Sequence, residues 1–424
     1  MNDKSFVLYL VFVISWFIHL PSRIPFLGII RFDFTLVLLL IILALLQPTD
    51  TKETTSSPID KYLKIIIIYA IATVPFVEWP GSVLKHGLVQ FTKACVFYFF
   101  TVKFVRTEKQ LKIFMIVFLA VQSFRILEPL YLHVTTGYWG SVASMANWQL
   151  LDRLSGAPHD IVNPNGLAFI IATVIPFYYY YSKINKKILF IAILLCPLFI
   201  WTMILTASRS GLVAFLAIIG LIVMKSRNRA IMLIALILAT LVVIPVLSID
   251  QKDRYLSVVS SETKNATTAT TRLVGIEKSF QVAMRRPLFG HGMGTSYEAN
   301  VNYADLHHRA HNLYAEVAQE LGFIGLFLFL LYIGAIIREL KKQHNIWKNQ
   351  KANHSEFIQA SRDGLRVFLY MNLLFSLASF GLSGYEWYLM PALLIVLSRL
   401  SPSEGELSRM RPRASHATRE VAVN

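Results

Sequence analysis

Long apolar runs separated by short polar segments dominate this chain of 424 residues. Each run has roughly 16–22 residues, and about 20 apolar residues in a helix cross the hydrocarbon of a bilayer. Isolated strands are excluded, because lipid offers no partner to their backbone groups. The ~10-residue alternation of a membrane barrel does not occur in the sequence. The pattern therefore predicts an all-α fold, a polytopic membrane helix bundle.

We predict about twelve transmembrane helices from these runs. Their approximate bounds are 5–20, 26–46, 62–79, 86–105, 111–133, 161–181, 188–206, 211–224, 230–248, 313–337, 365–383 and 385–399. One long connection, about 249–311, joins the ninth and tenth helices, and a shorter one covers about 134–160. We expect a single transmembrane domain over 1–399. Residues 400–424 are polar, basic and nearly free of aromatic residues, which predicts a disordered tail.

The formal net charge is +16, and the basic residues concentrate in alternate connections and in the tail. By the positive-inside rule this asymmetry places those segments, and both termini, in the cytoplasm. The charge therefore needs no nucleic acid as a partner, and the 249–311 connection lies on the opposite side. Cys95 and Cys196 lie within apolar runs and predict no disulfide framework.

The long connection contains an amphipathic segment. Leu273, Ile276, Phe280 and Met284 recur at helical spacing, and Pro287 stops the helix. A plain helix on the membrane surface is one interpretation of this segment. The sequence FGHGMGT follows, and its three glycines permit a tight backbone path close to a ligand or to another helix.

Several arginines and one histidine gather on this same predicted face. They are Arg209, Arg272, Arg285, Arg286, Arg309 and His311. Arginine binds phosphate through two parallel hydrogen bonds, and histidine is the most frequent general base near neutral pH. Above apolar helices, the set predicts a site that holds a lipid phosphate or diphosphate as leaving group. With a base that deprotonates an acceptor hydroxyl, this is the layout of a glycosyl transfer.

Each part of this set also has a plainer interpretation. Arg209 would then extend to the lipid headgroups, and His311 would be a structural residue at the water–membrane boundary. His307 and His311 are four residues apart, but HHRAH lacks the glutamate of the HExxH motif, and we predict no metal and no cofactor. A lipid-oligosaccharide flippase is a further alternative, although no internal repeat of the transporter type is evident.

One arginine lies in the middle of a predicted transmembrane helix. An unpaired charge at this depth is unfavourable, so we expect Arg125 to line a cavity or to pair with Glu128 or another acid. Arg31 and Asp33, in the second predicted helix, are a second candidate pair.

Several of these residues match motifs of the bacterial O-antigen ligases. In that family a histidine is followed by Asn, Ser or Gln, nine residues, and Gly-x-x with a final Gly, Thr or Tyr. His311-Asn312, nine residues and Gly322-x-x-Gly325 resemble this pattern. Three further segments are similar to the family: the SRSG turn at 208–211, the loop arginine Arg272 with the PLFGHGMG run at 287–294, and GAPHDIVNPNG at 156–166. The resemblance covers about 150–337.

This resemblance implies a glycosyltransferase that uses neither a metal nor a nucleotide sugar. Such a protein takes a glycan from undecaprenyl diphosphate at the periplasmic face of the bacterial inner membrane. His311 would act as the general base or orient the acceptor, and Arg209 and Arg272 would bind the diphosphate. Asn312 and Glu316 would orient His311. Three further arginines are candidates for the diphosphate by position and charge: Arg285, Arg286 and Arg309.

The acceptor of the glycan is open at this point. The histidine pattern favours lipid A–core, the acceptor of the ligases. A second lipid-linked repeat unit is the alternative, as in the polysaccharide polymerases of O-antigen or exopolysaccharide. A protein acceptor is less favoured, because such relatives usually add a C-terminal periplasmic part and this chain ends in a short tail predicted in the cytoplasm.

Overall fold

A computed structural model describes most of the chain. The described residues are 2–47, 57–140, 145–146, 149–150, 152–160, 162–226, 229–230, 252, 266–348, 355–379 and 381–400. The ninth predicted helix, 230–248, and the predicted tail, 400–424, therefore lie outside the described residues except at Ala230 and Leu400.

The described structure is helical apart from one pair of very short strands, which confirms the predicted all-α class. The first helices are α1 (Asn2–Ile18), α2 (Leu20–Arg23), α3 (Pro25–Ile29), α4 (Phe32–Leu46), α5 (Pro58–Ala72), α6 (Pro80–Ser82), α7 (Leu88–Phe104) and α8 (Glu108–Thr136). The later helices are α9 (Pro164–Ser182), α10 (Lys186–Leu205), α11 (Arg209–Lys225), α12 (Ala266–Arg285), α13 (Ser296–Ala304), α14 (Leu313–Lys348), α15 (Glu356–Phe375) and α16 (Glu386–Arg399). A 3-10 turn (Val74–Phe76) precedes α6, and a π-helical turn (Val83–Gly87) follows it. Strands β1 (Met145–Ala146) and β2 (Gln149–Leu150) pair antiparallel after α8.

Three helices among the described residues are, by length and composition, able to cross a membrane. They are α8, α10 and residues Leu313–Ile346 of α14. Helices α4 and α10 leave large apolar side chains such as Leu45 and Phe190 on the outer surface, as expected where lipid is the surrounding solvent. The full number of twelve spans and the periplasmic location of the long connection stay predictions.

Four predicted helices have clearly different bounds in the structure. The helix predicted at 62–79 ends at Ala72, as α5, and the one predicted at 313–337 continues to Lys348, as α14. The second predicted helix, 26–46, is interrupted at Arg31. The φ angle of Arg31 is 48°, in the left-handed region, so α3 and α4 are separate helices.

The helix predicted at 365–383 instead runs over Glu356–Phe375. Its first three turns bury Ile358 and Leu365 but also carry Glu356, Arg362 and Asp363, so the mean hydropathy of this stretch is low and the predicted helix began too late in the sequence.

The amphipathic helix predicted in the long connection is present as α12. It ends at Arg285, two residues before Pro287, as proline requires at the end of a helix. Helix α12 packs against α13 and α14, with Val282 and Ala283 buried. A second, shorter helix, α13, follows α12 in the same connection.

Helix α16 lies at the centre of the bundle. Every residue from Trp387 to Leu397 is buried, and the helix packs against α7, α14 and α15. A helix that is apolar on all sides is stable only inside other elements or in lipid. Helix α15 in turn packs against α9 and α11.

Candidate active site

A cavity of about 780 Å³ lies where four helices begin. Asn165 of α9, Ser210 of α11, Glu316 of α14 and Glu386 of α16 line it from the first turns of their helices. The first N–H groups of a helix have no partner within the helix, and its N-terminus carries about half a positive charge. Four such ends around one cavity favour the binding of an anionic group such as a phosphate.

Two of the predicted site residues, Arg309 and His311, line this cavity just before α14 begins. The His311 ring stacks on the ring of His308, with centroids 4.8 Å apart. A third, Arg209, is the first residue of α11, is 9% exposed and stands next to the cavity residue Ser210. The structure thus brings Arg209, Arg309 and His311 to the same region from two distant parts of the sequence.

The other predicted arginines lie on α12 and just after it. Arg272 is in the body of α12, and its side chain is outside the described residues. The Arg285 guanidinium stands over the Tyr303 ring, 4.7 Å from its centroid. Arg286 donates to the Phe76 carbonyl over 3.0 Å. Neither Arg285 nor Arg286 is among the described residues that line the cavity.

A polar cluster around Glu78 explains these contacts of α12. The Glu78 carboxylate accepts hydrogen bonds from the Tyr303 hydroxyl and from Nδ1 of His291, the latter over 2.7 Å, and Arg286 lies 3.6 Å away. Burial alone would raise the pKa of Glu78, but these hydrogen bonds and the charges of His291 and Arg286 lower it. The cluster ties the segment after α5 to the long connection.

The glycine-rich run FGHGMG lies against a break in α14. Gly322 has φ 69° and ψ −178° inside this helix, so the carbonyls just before it lack their usual helical donors. The His291 N–H donates to the Gln319 carbonyl over 2.7 Å, and the Gly292 N–H donates to the Glu320 carbonyl over 3.0 Å. The run therefore satisfies backbone groups that the break leaves unpaired.

Asn312 and Glu316 hold the start of α14 against the connection between α15 and α16. Asn312 caps α14: its Oδ1 accepts from the Ala315 N–H over 3.0 Å, and its Nδ2 donates to the Leu377 carbonyl over 3.0 Å. The Glu316 carboxylate accepts from the N–H groups of Gly381 (2.7 Å) and Leu382 (3.0 Å). These contacts fix the segment that carries His311, and a direct role in orienting its ring stays a prediction.

The segments NPNG and SRSG, predicted separately, meet beside the cavity. Ser208 caps α11 by accepting from the Gly211 N–H over 3.1 Å, and its hydroxyl donates to Oδ1 of Asn165 over 2.8 Å. Arg153 donates to the same Oδ1 over 2.9 Å and to the Thr206 carbonyl over 2.9 Å. Sequence analysis missed Arg153, because nothing in its local sequence connects it to α11.

The arginine in the middle of α8 pairs with an acid of the 156–166 segment. Arg125 donates to both carboxylate oxygens of Asp160, over 2.6 and 3.0 Å, and Nε2 of His19 lies 3.3 Å from Asp160. The other candidate acid, Glu128, instead binds Arg23 over 2.5 Å. Burial alone would raise the pKa of Asp160, but the hydrogen bonds from His19 and Arg125 and the Arg125 charge hold it at about 2.

The second candidate pair from the sequence, Arg31 and Asp33, has a different arrangement. Asp33, in the first turn of α4, accepts a hydrogen bond from the Ser15 hydroxyl of α1. Arg31 precedes α4, and both residues line a second, mostly apolar cavity of about 590 Å³. This cavity is separate from the one that contains His311.

Among the described residues, no group of three or more His, Cys, Asp or Glu is arranged to hold a metal ion. His307 is 72% exposed, and its Nε2 lies 3.6 Å from Asp305. It is the neighbouring His308 that stacks on His311, so the four-residue spacing of His307 and His311 does not describe the arrangement found here.

The fold and the cavity define a helical membrane protein whose polar residues gather where several helices begin. Residues 193–330 match the family model described as O-antigen ligase, and this match supports membership of the chain in the O-antigen ligase and polymerase superfamily. The matched range includes Arg209, Arg309, His311 and the break at Gly322. It confirms the resemblance read from the motifs. No curated protein matches the chain.

Proposed function

We propose that this protein is an inner-membrane glycosyltransferase that transfers a glycan from undecaprenyl diphosphate to an acceptor hydroxyl at the periplasmic face. The observation that carries the proposal is the placement of His311 and Arg309 in one cavity with four helix N-termini. Lipid A–core is the favoured acceptor, and a second lipid-linked repeat unit is the alternative. A flippase is less well supported, because the polar residues lie at one end of the helices.

The diphosphate is the group that the cavity suits best. As the bond from the sugar to the diphosphate breaks, the electron pair of that bond remains on the diphosphate oxygen. Fixed cations and N–H groups stabilise this charge without reorganising. Arg309 and Arg209 supply the cations in this proposal, and the first turns of α9, α11, α14 and α16 supply the N–H groups. Arg272, Arg285 and Arg286 are further candidates from the long connection.

His311 is the proposed general base. Its ring takes the proton of the acceptor hydroxyl while that oxygen attacks the anomeric carbon from the side opposite the leaving diphosphate, which inverts the configuration. The stacked His308 ring holds His311 in place. Neither a metal nor another cofactor takes part in this proposal. Asn312 and Glu316 position the backbone that presents His311.

The deciding experiment is a transfer assay on the full chain reconstituted in lipid. The donor is an undecaprenyl-diphosphate glycan, and lipid A–core or a second lipid-linked repeat is offered as the acceptor. We expect His311→Ala to abolish transfer without loss of folded protein. His307→Ala is the matched control, because that histidine is exposed and lies outside the cavity lining. Equal activity of both variants would remove His311 from the mechanism.

A second pair of variants tests the binding of the diphosphate. Arg309→Ala is expected to weaken binding of undecaprenyl diphosphate itself, whereas Arg338→Ala, on the exposed far part of α14, is not.

Transfer to lipid A–core would establish a ligase, and growth of the second repeat would establish a polymerase. Translocation of the lipid without any transfer would support the flippase instead.

A further inference from the structure

Asn372 is a buried polar residue in the wall of the cavity, and the proposed mechanism does not use this residue. It lies near the end of α15 and is 3% exposed. Its backbone carbonyl accepts from the N–H and hydroxyl of Ser376, but its side-chain Nδ2 has no hydrogen-bond partner among the described residues. A buried unpaired donor costs about 1–3 kcal/mol. Native proteins keep few such groups, and a bound ligand is one reason to keep one.

Acceptor groups lie in the wall of the same cavity. They are the carboxyl groups of Glu316, Glu320 and Glu386. Glu316 and Glu320 are 4% and 2% exposed and are held in place by backbone N–H groups, of Gly381 and Gly294 respectively. A carboxyl group has a carbonyl oxygen that accepts hydrogen bonds whether or not the group is ionised, so these side chains can bind the hydroxyl groups of a sugar.

Aromatic rings complete this part of the cavity. Phe169 of α9 and Phe375 of α15 both line it, with ring centroids 4.4 Å apart, and Trp387 of α16 lines it as well. Ring faces provide apolar surfaces on which the C–H groups of a sugar ring can pack. Aromatic walls with a few fixed polar groups are typical of a site for a small organic group.

We propose that this part of the cavity is a subsite for the sugar that is attached to the donor diphosphate. Nδ2 of Asn372 donates to an oxygen of that sugar, a hydroxyl or an acetamido carbonyl, and the carboxyl groups of Glu316 and Glu386 accept from its hydroxyls. The proposal rests on the proposed function and adds a residue that recognises the sugar.

The experiment compares two defined lipids bound to the full chain in lipid nanodiscs. They are undecaprenyl diphosphate alone and the same lipid carrying N-acetylglucosamine. We expect the wild type to bind the N-acetylglucosamine lipid more tightly than undecaprenyl diphosphate alone. Asn372→Ala should weaken that binding roughly three- to tenfold, as loss of one hydrogen bond predicts, and leave the affinity for undecaprenyl diphosphate unchanged.

Two controls separate sugar binding from folding. Asn372→Leu removes the donor without leaving a void, because leucine is the larger residue, and neither variant should lower the melting temperature without ligand, because no hydrogen bond within the protein is lost. Asn302→Ala removes an asparagine from the exposed surface and should leave the affinities for both lipids unchanged.

The outcomes distinguish this inference from the function on which it rests. If the wild type binds undecaprenyl diphosphate but gains nothing from N-acetylglucosamine, or if the Asn372 variants bind the sugar as tightly as the wild type, the subsite is wrong and the diphosphate site stands. If the wild type binds neither lipid, the proposed function itself is wrong.

Discussion

Gly290 and Gly322 lie backbone against backbone, so closely that a Cβ on Gly290 would be 2.6 Å from the nitrogen of Gly322. A Cβ on Gly322 would in turn be 2.3 Å from the Leu288 carbonyl oxygen. Both glycines have left-handed φ angles, 71° and 69°. The glycine-rich run can therefore reach the break in α14 only because neither residue has a side chain. This contact positions the long connection against the helix that follows His311.

The first prediction concerns this contact. Gly322→Ala is expected to destabilise the protein by on the order of 2 kcal/mol or more, since alanine at this φ is unfavourable and its Cβ would overlap the Leu288 carbonyl. Gly334→Ala, in the same helix with open space around it, should instead stabilise slightly, by about 0.5–1 kcal/mol. Melting temperatures of the purified variants in detergent measure both effects. A Gly322→Ala protein that melts like the wild type would contradict the packing described here.

The second prediction concerns the ion pair of Arg125 and Asp160. Their side chains are 8% and 3% exposed, so Asp160→Asn leaves a buried arginine without its counter-charge. We expect a loss of about 3–5 kcal/mol in the free energy of unfolding. Asp305→Asn is the matched control, because the Asp305 side chain is 95% exposed and its removal should change stability by less than about 0.5 kcal/mol. Similar melting of the two variants would show that the pair is not important for stability.

The third prediction is a pH dependence of the same pair. The pKa of Asp160 is lowered from 3.8 to about 2 in the folded protein. Its ionised form therefore stabilises the fold above pH ~4, and this contribution is lost as the pH falls from about 4 towards 2. The difference in melting temperature between wild type and Asp160→Asn should shrink over that interval. A difference that stays constant down to pH ~2 would argue against the assigned cause.

The fourth prediction concerns the anchor at the start of α14. Glu316→Ala leaves the N–H groups of Gly381 and Leu382 without an acceptor, at about 1–3 kcal/mol for each amide. Glu316→Gln keeps one carbonyl oxygen and should lose less. Chemical denaturation in detergent measures this order of stability. Glu277→Ala, on the exposed side of α12, should be close to the wild type. Equal stability of Glu316→Ala and Glu277→Ala would rule out the anchor.

Much of the architecture follows from hydropathy. The apolar runs predicted helices at the positions of α1, α7, α8, α9, α10, α11 and α16 within a few residues. The amphipathic period predicted α12, and Pro287 predicted where it ends. These features are local, because helix formation depends on residues three and four apart. The beginning of α15 was missed because its stabilisation comes from contacts with α9 and α11, which no local average of hydropathy contains.

The candidate site likewise combines features that the sequence predicts with features that only the fold provides. The sequence by itself determined the class of fold, the superfamily motifs and the residue types of the proposed diphosphate site, because these depend on composition and short spacings. Only the tertiary structure decided that Arg309 and His311 share a cavity with Asn372 and Glu386, while Arg285 and Arg286 contact the cluster around Glu78 instead. It also chose Asp160 over Glu128 as the partner of Arg125. Such pairings join residues far apart along the chain, and the packing of helices, which no local pattern encodes, determines which of them meet.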